Sequence, residues 1–254
     1  SSPMSATEVV RLDQARSVAH RSLPPVPPGL AKDAVTLLLF YQYTEPPWSA
    51  KEHKEALKRV LAIGAEHGIC GRGRCAPEGL NCSLTGAPQS IRDFCAALRA
   101  WNPSLFMGTD FKMTDGLKPT EGFKALTVRK TDELVGYGLA NDRAPALASS
   151  KAKHVEADEY HKLMEQKDTV IIDVRNAYES AIGHFQPPEG GAELIDPKMR
   201  NSHEFPKWLN APETREKLAN KNVMMYCTGG IRCERATALL DQLEKSAAGF
   251  ETKG

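Results

Sequence analysis

The sequence predicts an α/β protein of two domains, a ferredoxin-like (split βαβ) unit followed by a unit built on a parallel sheet. Three observations carry this. Apolar runs alternate with helix-period segments along most of the 254 residues, a length that suits two modest domains. Between residues 35 and 137 these runs fall in the order β-α-β-β-α-β, which is the order of a split βαβ unit. Beyond residue 153, largely apolar runs at Thr169–Val174 and Val223–Tyr226 are flanked by helix patterns, the mark of buried parallel strands.

Residues 1–30 are expected to be a disordered tail, because Leu23-Pro24-Pro25-Val26-Pro27-Pro28-Gly29 fits neither a helix nor a central strand. The first domain is expected over 31–140. Val35–Tyr41 is a short apolar run suited to a buried strand. Ser49 is an N-cap residue type ahead of a helix to about Glu66, with Leu57, Val60 and Leu61 on one face. Ile69–Ala76 and Leu80–Thr85 read as strands around the turn Pro77-Glu78-Gly79. Ile91–Ala100 is the second helix, and Ala125–Arg129 and Leu134–Tyr137 close the unit as extended chain. Residues 141–153, rich in Ala and Ser and without period, are expected to be a linker.

The second domain is expected over 154–254. Ala157–Gln166 is helical in pattern, Pro187–Met199 is loop-like, and Cys233–Lys245 is a helix with Ala236, Leu239, Leu240 and Leu243 on one face.

Charge narrows the function classes. Lys plus Arg is 33 against 32 for Asp plus Glu, so no overall field favours non-specific nucleic-acid binding and an RNA substrate would need a local basic patch. Hydrophobic residues at 41% and charged residues at 26% are ordinary for a globular chain. No apolar run reaches the roughly 18 residues a spanning helix needs, so no membrane partner is expected. The N-terminal stretch carries Arg11, Arg16 and Arg21 but also Glu8 and Asp13. A cytoplasmic protein is expected, or an organellar one if the tail is the remnant of a transit peptide. The absence of an initial Met reads as a processed start or an engineered boundary. The six cysteines are expected to be reduced, since no secretory signal is visible.

The segment that carries chemistry is Tyr226-Cys227-Thr228-Gly229-Gly230-Ile231-Arg232-Cys233, between a buried strand and a helix start. Ligands bind at the C-terminal ends of strands in open α/β sheets. Two adjacent glycines let successive N–H groups point inward, and such a nest with a helix behind it stabilises negative charge. Cys227 is therefore read as a thiolate near neutral pH, with Thr228, Gly229, Gly230 and Ile231 as its anion-binding loop and Arg232 as a fixed positive charge at the rim. Cysteine phosphatases resemble this arrangement but place one residue more between their Cys and Arg. The smaller ring here suits a persulfide sulfur better than a phosphate.

Val223–Ala236 closely resembles the active-site segment of the rhodanese-domain tRNA uridine hydroxylases and of their eukaryotic thiosulfate sulfurtransferase-like relatives. The resemblance extends to Ile172-Asp173-Val174-Arg175-Asn176, Tyr178-Glu179 and Ile182-Gly183-His184-Phe185, and to Ala76-Pro77-Glu78-Gly79-Leu80-Asn81 followed by Gly86. It implies an acylphosphatase-like (ferredoxin-like) N-terminal domain joined to a rhodanese-like domain. It also implies hydroxylation of the wobble uridine of tRNA, an oxygen-dependent reaction that needs the loop cysteine. Rhodaneses in general suggest the alternative, a sulfurtransferase in which Cys227 takes sulfane sulfur from thiosulfate or a persulfide and holds it as its own persulfide. A non-catalytic rhodanese-like binding module is the third reading. Family members continue into a further strand, a Gly-Gly turn and a last helix, so the second domain is expected to be truncated at its C-terminus after Phe250. The Pro187–Met199 insert is also longer than in bacterial members.

Other residues are weighed beside these. Cys233 is either a resolving thiol for Cys227 or a small core residue. Asp173 and Arg175 are expected to support the site as an ion pair bracing the loop. His184 is expected to pack or hydrogen-bond rather than exchange protons. Cys70, Cys75 and Cys82 have spacings that match no common zinc pattern, so no metal or other cofactor is expected. Arg72, Arg74, Lys124 and Arg129, with Lys118 and Lys130, are candidates for an RNA-facing patch.

Overall fold

The computed structural model describes residues 22–140, 143–246 and 250–253. The chain divides into two compact units, Ser1–Leu134 and Val135–Gly254.

In the first unit, β1 (Val35–Tyr43) leads to helix α1 (Ala50–Glu66). A full capping box starts that helix: the Glu52 N–H donates to Ser49 Oγ, and the Ser49 N–H donates to Glu52 Oε2. Strands β2 (Cys70–Ala76) and β3 (Gly79–Gly86) form a hairpin, and α2 (Pro88–Trp101) and the short α3 (Pro103–Phe106) follow. The last two strands are β4 (Lys112–Leu117) and β5 (Leu126–Lys130). Their order across the sheet is β4-β1-β3-β2-β5. The β4-β1-β3-β2 part is antiparallel throughout and is the split βαβ arrangement, while β5 adds a parallel strand beside β2.

That outcome corrects two strand assignments. The fourth strand of the split unit is Lys112–Leu117, not Ala125–Arg129, and Leu134–Tyr137 is not a strand. Lys112–Leu117 alternates exposed and half-buried residues and contains Asp115 and Gly116, so it shows no apolar run to find. Leu38, Phe40, Leu80, Leu84, Ile91, Phe94 and Leu98 pack together as the core between sheet and helices. The hairpin turn depends on Gly79: it sits at φ +135°, and a Cβ there would lie 2.0 Å from the Gln42 carbonyl oxygen.

The expected tail falls into two parts. Residues 1–21 lie outside the described residues. From Leu23 the chain packs on the core, and Arg92 ties it down by donating to the carbonyls of Pro24 and Pro25 at 2.8 and 3.1 Å. Asp115 answers the Arg92 charge at 2.9 Å.

The second unit takes in Val135–Ala140, which the sequence placed with the first. Tyr137 explains the boundary: its ring stacks on Phe205 at 5.3 Å and its hydroxyl donates to the Arg232 carbonyl at 3.1 Å. Its elements are α4 (Ala157–Met164), β6 (Thr169–Asp173), α5 (Ala177–Ile182), β7 (Glu193–Ile195), α6 (Phe205–Asn210), α7 (Pro212–Leu218), β8 (Asn222–Tyr226) and α8 (Ile231–Ser246). The strands pair in the order β7-β6-β8, all parallel. β6 is central and buried along its whole length, its Val170-Ile171-Ile172 centre flanked by buried Thr169 and Asp173. β7, inside the segment read as a loop, is three residues long.

The expected linker, 141–153, is not a free tether where it is described. Leu147 is buried in a short 3₁₀ turn, Arg235 donates to the Pro145 carbonyl, and Ser150 Oγ donates to Asp241 of α8 at 2.7 Å. No helix among the described residues is long and apolar enough to cross a membrane.

Candidate active site

β8 ends at Tyr226 and α8 begins at Ile231, so Cys227–Gly230 is the strand-to-helix turn at the C-terminal end of the sheet. Gly230 has φ +98°, a conformation that favours glycine, and its N–H donates to Cys227 Sγ at 3.1 Å. The loop thus turns at least one backbone donor onto the sulfur.

The charge on that sulfur follows. The Cys227 pKa is lowered from its ordinary 9.0 to about 5. The largest cause is a hydrogen bond from the Cys233 side chain; burial opposes it, and the Arg232 charge and the backbone N–H groups of Cys233 and Gly229 add to it. Cys233 moves the other way, well above its ordinary value, because its thiol is held as donor to Cys227 and is buried. Burial pushes Cys75 and Cys95 up to about 12. Cys227 is thus favoured as a thiolate, whereas Cys75, Cys82, Cys95 and Cys233 are held as thiols; at Cys227 donors outweigh burial, and at Cys75, Cys82 and Cys95 burial prevails.

Arg232 is not an open charge at the rim. Its Nη1 and Nη2 donate to the two oxygens of Glu179 at 2.6 and 2.7 Å, and Nη2 also donates to Thr228 Oγ1 at 3.1 Å. Glu179 accepts further from the Thr228 hydroxyl at 3.2 Å and from the Asn176 N–H at 3.1 Å. This bidentate fork fixes the guanidinium and clamps the first residue of the loop. From sequence, Glu179 stands within the Tyr178-Glu179 motif with no role assigned to it. Its position three residues after Asn176 at a helix start is the spacing of a capping carboxylate, and that was the available signal.

Asp173 and Arg175 form the expected pair. Arg175 Nε and Nη2 donate to Asp173 at 2.8 and 2.7 Å, and Nη2 donates to the Gly183 carbonyl at 2.7 Å. The hydroxyl of Tyr226, the residue before Cys227, donates to Asp173 Oδ2 at 2.7 Å. Asp173 is fully buried, and these donors hold its pKa below the ordinary carboxylate value although burial pushes it up. His184 Nδ1 lies 3.1 Å from the Ser180 carbonyl, so the ring is a local brace.

The basic candidates belong to the first unit. Arg72 and Arg74 are exposed on β2, Arg129 is the register partner of Arg74 on β5, and Lys118, Lys124 and Lys130 are exposed nearby in sequence. Arg72 sits over the Phe123 ring at 5.6 Å. Residues 70–76 and 126–130 thus bring three arginines onto neighbouring strands.

Two family models match the chain: a UPF0176 acylphosphatase-like domain over residues 35–134 and a rhodanese-like domain over residues 156–252. The chain thus carries an acylphosphatase-like domain followed by a rhodanese-like domain. It is 34% identical over 229 residues to rhodanese-like domain-containing protein 6 of Arabidopsis thaliana, covering 85% of this chain and 37% of that protein. It is 35% identical over 209 residues to a tRNA uridine(34) hydroxylase of Enterococcus faecalis, covering 80% of this chain and 59% of the relative. A tRNA uridine(34) hydroxylase of Listeria monocytogenes is 33% identical over 226 residues, or 86% and 64%. The chain therefore spans between about a third and two thirds of the length of these relatives. In this rhodanese-like domain the Cys227 loop occupies the junction of β8 and α8.

Proposed function

We propose that this protein is a tRNA-modifying enzyme that hydroxylates the wobble uridine, with Cys227 as the reacting thiolate. One observation carries the reading: Cys227 Sγ accepts the Gly230 N–H at 3.1 Å in a strand-to-helix turn, in a chain similar to proteins named tRNA uridine(34) hydroxylase. The loop amides Thr228 to Ile231 stabilise an anionic sulfur or its adduct. Arg232 acts as a positioning residue through Glu179 and Thr228, as well as by its charge. Arg72, Arg74, Lys124 and Arg129 supply phosphate contacts.

The test is nucleoside mass spectrometry of tRNA from cells lacking the protein. Rescue with the wild type restores the hydroxylated uridine, and rescue with Cys227→Ser does not. Equal restoration by both forms would overturn the reading.

The depressed Cys227 pKa also favours a second reading, sulfur transfer. The thiolate attacks the outer sulfur of thiosulfate, the S–S bond breaks, sulfite leaves with the electron pair, and Cys227 keeps a persulfide. Stoichiometric sulfite release on mixing with thiosulfate supports this activity. If neither product forms while partner binding persists, the domain is a binding module.

A further inference from the structure

We propose that Tyr178, Ile182 and Phe185 form a stacking platform for unpaired bases of an RNA loop, at the rim of the Cys227 turn. This rests on the reading of the protein as a tRNA-modifying enzyme and adds how the substrate is held. Among the described residues, the exposed large hydrophobic side chains are these three, at 66%, 89% and 44% exposure. They fall within eight consecutive positions of one segment. Scattered exposed apolar residues need no explanation, but a cluster does.

The segment is tied to the thiol loop on both flanks. Glu179, next to Tyr178, bonds Thr228 and Arg232. Phe185 packs on Tyr226 with ring centroids 4.3 Å apart, and its N–H donates to the Tyr226 hydroxyl at 3.4 Å; Tyr226 directly precedes Cys227. Arg175 holds the Gly183 carbonyl, and His184 holds the Ser180 carbonyl. The three apolar side chains are thus carried on a braced backbone, so presenting them costs little ordering on binding.

The chemistry of the platform fits unpaired bases. A uridine can reach Cys227 only by leaving its stack, and its neighbours then lose their stacking partners. Proteins that read single-stranded RNA meet such bases with aromatic rings and guanidinium planes. Phe185 is the exposed end of a run in which Tyr226 follows, with the Arg175 guanidinium 5.1 Å from the Tyr226 ring centroid. The exposed area of the three side chains is about 400 Å². A stable protein interface takes about 800 Å² from each partner. The patch therefore suits two or three bases better than a protein face.

The test measures binding of a fluorescently labelled RNA hairpin with a uridine-rich unpaired loop by anisotropy, with a fully paired duplex of equal length as the second probe. Tyr178→Ala weakens hairpin binding about 5- to 150-fold, the range for loss of one base–aromatic stack, and leaves duplex binding unchanged. Tyr178→Phe retains hairpin affinity. Unfolding midpoints are compared so that loss of fold is not read as loss of stacking. If the wild type binds the hairpin and Tyr178→Ala binds it equally well, or weakens both probes alike, the platform is wrong while the enzyme reading stands. If the wild type binds no RNA, both fall together.

Discussion

Cys233 separates two accounts of the site, because a hydrogen-bond donor and a resolving thiol respond differently to the same substitutions. The Cys233 side chain is the largest single cause of the low Cys227 pKa. A hydrogen bond to a charged group is worth about 1.5–3 kcal/mol, and one pKa unit corresponds to about 1.36 kcal/mol. Removing that donor should raise Cys227 by about one to two units from its present value of about 5. Cys233→Ala is expected to titrate near pH 6 to 7, while Cys233→Ser keeps a donor and stays close to the wild type. The assay is site-resolved alkylation with iodoacetamide across pH, with the Cys227 peptide quantified by mass spectrometry. The other cysteines need not be removed, since each peptide is read separately. If Cys233→Ala titrates with the wild type, the thiol is not what ionises Cys227. If Cys233→Ser shifts as far as Cys233→Ala, a donor at this position is not the operative property.

Three further outcomes follow from the geometry. Glu179→Gln removes the charge that holds Arg232 in a pair whose side chains are only 14% and 19% exposed, and should destabilise the second unit by about 2 kcal/mol; wild-type resistance to urea would contradict this. Asp173 has a folded pKa below its unfolded one, so the stability it supplies is present above about pH 4 and is lost as the pH falls through the folded value. Asp173→Asn should accordingly flatten the acid limb of a plot of urea midpoint against pH, and an unchanged limb would count against the pair. Gly79→Ala puts a Cβ 2.0 Å from the Gln42 carbonyl and should abolish soluble expression, whereas Gly29→Ala, at φ +80° in open space, should cost only about 1–2 kcal/mol; equal stability of the two variants would refute the close-approach argument.

The sequence made legible what depends on local pattern. The helix at Ala50–Glu66 is readable from Ser49 and its apolar stripe, and β6 and β8 are readable because each is built on a short apolar run, Val170–Ile172 and Val223–Tyr226. The thiol loop was readable because strand, Cys, paired Gly, Arg and helix stand in one continuous stretch. Elements stabilised by tertiary pairing were not. Lys112–Leu117 is a strand because β1 pairs with it, and its own residues alternate exposed and half-buried without a turn-free apolar run. β7 is three residues in a Pro- and Gly-rich segment and exists through its pairing with β6. The same division holds in the site. Cys227 and Arg232 are candidates on adjacency alone, but the fork from Glu179 closes over a separation of 53 residues, and only the folded sheet brings Glu179 to Arg232. Tyr137, 95 residues from the carbonyl it caps, was placed in the wrong domain for the same reason.

The most direct test of the account is the pH dependence of Cys227 exchange with a small aromatic disulfide. At pH 7 the rate alone decides nothing: a thiolate of pKa about 5 is about 30-fold more ionised there than a free cysteine in solution, whose pKa is about 8.5, but it is intrinsically about 40-fold less nucleophilic. At pH 5 the ionisation advantage exceeds 1000-fold, so Cys227 should react about 40-fold faster than a free cysteine. The account predicts a rate that reaches half its plateau near pH 5 and is flat from about pH 6 to 9. A rate that climbs tenfold per pH unit up to about pH 8 would mean that the loop leaves the sulfur protonated at neutral pH, and would contradict it.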